Sequence, residues 1–157
     1  MSDHYSEIDF GQLDQLRQSH LGRLLLRTYR AFSSRAIEKL KYRGYVGISL
    51  AGTMLLMNID AKGSQLSRLG EKIGISRQAV TNLVQQMEEK KYLHRSPDPA
   101  DKRAMIVTLT PEGWQLIKDI VEMKAEIEDE YCSIIGNDQM KLVRENLTKL
   151  LENLESQ

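Results

Sequence analysis

The chain has 157 residues, 41% hydrophobic and 28% charged, with 22 basic and 22 acidic side chains and a net charge of zero. That profile fits one folded domain with helical extensions and excludes wholesale disorder. No apolar run approaches the roughly 20 residues of a membrane span, and the acidic start, Met1 to Phe10, lacks a secretory pattern. The lone Cys132 forms no internal disulfide, so a cytoplasmic protein without a membrane partner is expected. His4, His20 and His94 lie far apart. Neither His-Glu-x-x-His nor Cys-x-x-Cys occurs, nor Gly-x-x-x-x-Gly-Lys, nor Gly-x-Ser-x-Gly. No metal, no cofactor and no enzymatic activity are therefore expected.

Neutrality hides a pattern. Residues 1–16 carry −4, 17–59 carry +7, 60–103 carry +3 and 104–157 carry −6. A basic middle between acidic ends presents a local positive face on a neutral molecule.

In chain order, the spacing predicts a long helix from about Phe10 to Arg43. Leu21, Leu25, Tyr29, Phe32, Ala36 and Leu40 share one face, and Arg23, Arg27, Arg30 and Lys41 the other. Gly44 and Gly47 end it. Ser49 is the predicted N-cap of a helix from Leu50 to Ile59, whose run Met54-Leu55-Leu56-Met57 reads as buried. Ser64 is the predicted cap of a short helix to Ile73, with Gly74 in the left-handed position that stops it. Ser76 then caps a helix to about Lys90, and two short helices joined by Gly-Ile-Ser form a helix-turn-helix. Tyr92 to Arg95 and Ala104 to Leu109 read as strands flanking an irregular tip, Ser96 to Arg103. Thr110-Pro111-Glu112 opens a helix carrying Leu116, Ile120, Ile127, Tyr131 and Ile134 on one face. After Gly136 a last helix begins at Asn137 or Asp138. Its Met140, Val143, Leu147, Leu150 and Leu154 form a coiled-coil-like seam. The expected fold is mainly α with a small β-wing.

The helix from Ser76 to Lys90 is the most informative. Val80, Leu83, Val84 and Met87 make an apolar stripe, while Gln78, Thr81, Asn82 and Gln85 occupy the other side and Arg77 the flank. A merely solvated face is usually dominated by Lys and Glu. Short uncharged donor–acceptor groups are the type that read base edges in a major groove. Glu88 and Glu89 follow at the far end, so the N-terminal half is the part expected to enter the groove. In the hairpin, Arg95, Lys102 and Arg103 are expected to cluster at a tip held out by Pro97 and Pro99. An arginine on a narrow projection suits the minor groove, and Asp101 is placed to orient Arg103 by a charge-assisted hydrogen bond.

The run Asp101-x-Arg103-x-x-x-Val107-x-Leu109-Thr110-x-x-Gly113 resembles the wing signature of the MarR/SlyA transcriptional regulators. Upstream, Leu66-x-x-Leu69, Gly74-Ile75-Ser76-Arg77 and Met87-Glu88-Glu89-Lys90 resemble their helix-turn-helix. The resemblance covers nearly all of the chain. It implies a winged helix-turn-helix plus a helical dimerisation region: an N-terminal arm over 1–45, a DNA-binding domain over 46–110 and dimerisation helices over 111–157. It also implies a homodimer on a pseudo-palindromic double-stranded DNA operator, with Leu13, Leu16, Val143, Leu147, Leu150 and Leu154 at the dimer seam. DNA-reading roles fall on Ser76, Arg77, Gln78, Thr81, Asn82 and Gln85, with Arg95 and Lys102 beside them and the minor-groove role on Arg103. Where the family commonly has glycine after the recognition helix, this chain has Lys91. A non-glycine residue in a left-handed cap costs roughly 1 kcal/mol, so a different cap is expected.

Such regulators are expected to bind a small anionic or aromatic effector between the dimerisation helices and the winged helix. Arg17, His20, Met54 and Met57 are the candidates by position, each weighed against an ordinary structural role. Cys132 follows Glu128, Asp129 and Glu130, acidic neighbours that disfavour a reactive thiolate, so a thiol switch is not expected. The Arg23, Arg27 and Arg30 face admits a solvated role or attraction of an anionic ligand, but is expected to pair with the acidic C-terminal third of the same or the partner chain, which lies close by in a dimer. The competing reading is a winged-helix module that binds protein rather than DNA.

Overall fold

A computed structural model describes residues 19–101 and 104–156. Two compact units, Met1–Arg35 and Ala36–Gln157, divide within the first described helix. The described residues form six helices and three short strands: α1 (Leu21–Tyr42), α2 (Leu50–Met57), β1 (Ser64–Gln65), α3 (Leu66–Ile73), α4 (Arg77–Glu89), β2 (Leu93–Pro97), β3 (Met105–Leu109), α5 (Pro111–Ile135) and α6 (Asn137–Glu155).

The continuous helix expected from Phe10 to Arg43 is interrupted at His20. Its carbonyl accepts from Arg23 N at 2.9 Å, and its Nδ1 accepts from Gly22 N at 3.2 Å, so the residue caps α1 instead of extending it. Amides at a helix start have no partner inside the helix, and a side-chain acceptor there stabilises the start. The part of the expected helix before Ser19, with Leu13, Leu16 and Arg17, lies outside the described residues.

The second unit is built around one core. Leu55, Leu56, Leu69, Val80, Val84, Met87, Leu93, Val107, Leu116 and Ile120 are all at most 2% exposed. They come from α2, α3, α4, the hairpin and α5, so the helix-turn-helix and the start of α5 share a single interior. Each such side chain contributes about 1.5–3 kcal/mol by leaving water. The run Met54 to Met57 was expected to be buried throughout. Leu55 and Leu56 are, but Met54 and Met57 are 42% and 39% exposed. Eight helical residues have only one side against the core, so an all-apolar run must leave some members outside.

The predicted caps at Ser49 and Ser76 are present: Ser49 Oγ accepts from Gly52 N at 3.0 Å, and Ser76 Oγ from Ala79 N at 3.2 Å. Gly74 ends α3 at φ 67°, ψ 33°, the left-handed conformation expected of it. Ser64 does not cap α3. It is the first residue of β1, and its hydroxyl donates to Asp60 Oδ2 at 2.8 Å and accepts from Asp60 N at 2.9 Å.

The sheet has the order β1-β3-β2 and is antiparallel throughout. Ser64 and Gln65 pair with Val107 and Ile106, a strand too short to produce an alternating pattern. Strand β2 runs further than expected, since Ser96 and Pro97 pair with Ile106 and Met105. Proline is tolerated there because β2 is an edge strand and Pro97 its last residue. Thr110 caps α5, accepting from Gly113 N at 3.0 Å, with Pro111 at the first helical position as predicted.

Gly113 is required by a close approach. A Cβ there would stand 1.9 Å from the Tyr92 carbonyl oxygen, so no side chain fits between the start of α5 and the root of the wing.

Candidate nucleic-acid interface

Helix α4 has two chemically different sides. Val80, Val84 and Met87 are buried, whereas Ser76, Arg77, Gln78, Asn82 and Gln85 are exposed and Thr81 is half-buried. The outward amides are aligned along the helix. Gln78 Nε2 donates to Asn82 Oδ1 at 3.0 Å, and Gln85 Nε2 donates to Glu89 Oε1 at 3.0 Å. Thr81 Oγ1 donates to the Arg77 carbonyl at 2.9 Å, so its hydroxyl hydrogen is taken up within the helix. An open groove of about 530 Å³ lies between α3 and the start of α4, lined by Leu66, Gly70, Gly74, Ile75 and Arg77 among others.

The joint between α4 and the wing corrects an expectation. Lys91 stands at φ 65°, in the left-handed region. Its amide donates to Glu88 O at 2.8 Å, and the Tyr92 amide donates to Met87 O at 2.9 Å. These two bonds are those of a Schellman cap, so the glycine-type cap is retained with lysine in it. Thr110 reinforces the joint from the other side, its Oγ1 donating to Lys91 O at 2.6 Å and its amide to Tyr92 O at 3.2 Å.

Arg95 is not at the wing tip. It occupies the middle of β2 opposite Val107, and its guanidinium meets the Glu88 carboxylate of α4. Arg95 Nε donates to Glu88 Oε2 at 2.6 Å, and Arg95 N donates to Glu88 Oε1 at 3.0 Å. The Arg95 side chain, more than any other group, holds the Glu88 carboxyl below its ordinary range.

The tip is organised by a carboxylate that sequence reading passed over. Asp98 is 6% exposed. It accepts from Gln65 Nε2 at 2.5 Å and from Ala100 N at 2.8 Å, and the Asp101 amide donates to it as well. Gln65 first, then the backbone amides, hold the Asp98 carboxyl low. The signal was present in the pattern Pro97-Asp98-Pro99, since an Asp side chain commonly bonds the backbone two residues on. Asp101 itself is exposed, and its carbonyl accepts from Ala104 N at 2.8 Å. Lys102 and Arg103, and with them the expected Asp101–Arg103 contact, lie outside the described residues.

The groove beside α4 is lined by none of His20, Met54 and Met57. His20 belongs to the first unit, and Met54 and Met57 to the second. Arg17 lies outside the described residues. Among the described residues, Lys39 of α1 and Arg43 just after it make ion pairs to the acidic C-terminal third. Lys39 Nζ lies 3.1 Å from Glu126 and 2.9 Å from Glu130, and Arg43 also pairs with Glu126. Tyr45, just after α1, donates from its hydroxyl to Asp119 of α5 and meets the Tyr92 ring edge-on at 6.2 Å.

On α6, Val143, Leu147, Leu150 and Leu154 are 44%, 36%, 51% and 67% exposed, and the helix has no buried residue among those described. No helix of the described residues is long and apolar enough to cross a membrane.

Residues 46–104, the segment holding the helix-turn-helix and most of the wing, match the MarR family. The chain is 27% identical over 128 residues to MhqR, an HTH-type transcriptional regulator of Bacillus subtilis (strain 168), covering 81% of this chain and 86% of that one. The fold matches the transcriptional repressor CouR bound to a 23-mer DNA duplex, with a TM-score of 0.75, 22% identity and coverage of 93% and 99%. It also matches CouR from Rhodococcus jostii RHA1 bound to p-coumaroyl-CoA, with a TM-score of 0.69, 21% identity and coverage of 85% and 92%. With the helix-turn-helix, the three-stranded wing and the flanking helices in place, the chain is similar to the MarR-family winged-helix transcriptional regulators over most of its length, and its segment 46–104 matches that family.

Proposed function

We propose that the protein is a sequence-specific repressor. It binds a pseudo-palindromic double-stranded DNA operator as a homodimer and is released by a small anionic or aromatic effector. The observation that carries this reading is the outer side of α4, where Arg77, Gln78, Asn82 and Gln85 are exposed on a helix whose opposite side buries Val80, Val84 and Met87. A rigid helix presenting neutral amides and one flanking arginine suits base edges: Gln and Asn match adenine, and Arg matches guanine. Ser76 and the first amides of α4 suit a phosphate. Lys102 and Arg103 follow in the wing, Arg103 being assigned to the minor groove. CouR, which shares the fold, has been solved on DNA and with a CoA ester, which supports both the operator and the effector parts of the proposal.

In this reading residues 46–110 read DNA, while 1–45 and 111–157 build the dimer. Two copies of α4 enter successive major grooves roughly 34–36 Å apart. Effector binding weakens DNA affinity only by as much as the effector prefers the arrangement with another spacing. Repression needs nothing beyond tight binding across a promoter.

The test is fluorescence anisotropy on the DNA upstream of the protein's own gene, at several salt concentrations and against scrambled DNA. Tight, salt-sensitive binding that scrambled DNA fails to match is expected, with Arg103→Ala weakening it severely. Affinity of that variant within twofold of wild type removes Arg103 from the interface. No binding to any duplex at low salt favours a protein-interaction module instead.

A further inference from the structure

Four cations are assigned to the DNA-reading surface from the sequence: Arg77, Arg95, Lys102 and Arg103. One of them is committed elsewhere. Arg95 meets the Glu88 carboxylate through Nε at 2.6 Å and through its Nη2, and the Arg95 backbone amide adds a third contact at 3.0 Å. The two side chains are 31% and 27% exposed. A guanidinium with two nitrogens on a carboxylate is a poor phosphate ligand, because its charge is neutralised and its fork is occupied. The same contact spans two elements: Glu88 lies in the last turn of α4, and Arg95 is the middle residue of β2.

We propose that Glu88 is a positioning residue for DNA binding: by gripping the side chain and backbone of Arg95, it fixes the wing at a set angle to the recognition helix, and Arg95 acts through this clamp instead of touching phosphate. The inference rests on the DNA-binding reading above. The geometry around the clamp shows why a tie is needed at this point. The Schellman cap at Lys91 and the Thr110 bonds secure the root of the hairpin, but β2 continues past them to Pro97. Strand β1 holds β3 from one side at Val107 and Ile106, but β2 is the outer strand, and beyond its root its free edge has no strand beside it. Glu88 attaches it again, four residues beyond Lys91. Repulsion by DNA phosphate, expected of an acidic residue at this end of α4, is relieved because its partner cancels the charge. Asp98 performs the corresponding service at the tip, through Gln65.

A clamp and a phosphate contact predict opposite results. An operator is first obtained by selecting from a pool of randomised duplexes with the full-length wild-type protein, and affinities and salt slopes are then measured by anisotropy. If the clamp is correct, Glu88→Gln and Arg95→Gln each weaken operator binding by the same factor, about tenfold for a charged hydrogen bond of this kind. The double variant is then no weaker than either single one. Arg95→Lys keeps the charge that a phosphate needs but loses the fork, and is expected to bind nearly as weakly as Arg95→Gln. Thermal unfolding of each variant accompanies the binding data. A variant with the wild-type Tm and weakened binding supports positioning over a general loss of fold. The proposal is overturned if Glu88→Gln binds as well as wild type or better, or if Arg95→Lys binds like wild type. It is also overturned if only Arg95→Gln lowers the salt slope, by about 0.9 for one lost phosphate contact. A wild-type protein that enriches no sequence from the pool overturns the DNA-binding reading itself, a result distinct from any of these.

Discussion

Lys91 holds a left-handed backbone, φ 65°, that a glycine would adopt without steric cost. The penalty is about 1 kcal/mol, and part of it is offset because lysine leaves the unfolded chain less freedom than glycine. Lys91→Gly is therefore expected to stabilise the protein by up to about 0.5 kcal/mol, read as a higher urea midpoint with an unchanged slope. A lower midpoint overturns this reading of the cap. Asp98 makes a second prediction at the same scale. Three donors converge on its carboxylate, so Asp98→Ala leaves Gln65 and the Ala100 and Asp101 amides without that acceptor. Faster amide exchange at Ala100 and Asp101 and weaker DNA binding are expected; unchanged exchange rules out the role. Because its carboxyl is held low, the contribution is present above the ordinary carboxylate range. It is lost only as pH falls through the lowered value.

At the scale of elements, the contacts that matter join helices to one another. Tyr45 connects the turn after α1 to α5 through Asp119, and its ring meets Tyr92 at the root of the wing. Burial first, and then the Asp119 hydrogen bond and charge, push the Tyr45 hydroxyl up to about 12. A raised folded value means that the contribution is complete below the unfolded value, about 10. It disappears as pH rises through the folded one. Wild type is thus expected to lose more stability between pH 10 and pH 12 than Tyr45→Phe, by urea denaturation at both ends of that window. Equal losses would show that Tyr45 is not the titrating group. The same joint explains Gly113. With the Tyr92 carbonyl 1.9 Å from where a Cβ would stand, the wing and α5 approach as closely as two backbones can.

At the scale of the whole molecule, α6 presents an apolar row that the described residues leave exposed. Leu142, Val143, Leu147, Leu150, Leu151 and Leu154 are all at least 36% exposed along α6. Contiguous exposed apolar surface on this scale marks an interaction site. A homodimer is the occupant proposed above. Replacing Leu147 and Leu150 with lysine is expected to convert the dimer to monomer in sedimentation, and to weaken operator binding because two half-sites are then bound independently. A dimer that persists unaltered removes these residues from the seam.

The helix-turn-helix was legible because its signals are local. Ser76 must precede α4, Gly74 must end α3, and Val80, Val84 and Met87 must face inward, since caps and periodicity depend on neighbours within one or two turns. The polar character of the opposite side of α4 followed from the same periodicity. The sequence also determined the wing as a hairpin and Thr110 as the start of α5. Contacts between distant residues were invisible to it. Strand β1 is two residues long and exists only because Val107 and Ile106 lie beside it. The exposure of Met54 and Met57 reflects where α2 meets the core, which no apolar run reveals. Arg95 read as a free wing cation until the fold brought Glu88 against it, and Asp98 read as a loop residue until Gln65 arrived from 33 positions away. Local geometry is encoded by adjacent residues. The partner of a charge is chosen by the packing of the whole chain, and that was decided by the tertiary structure alone.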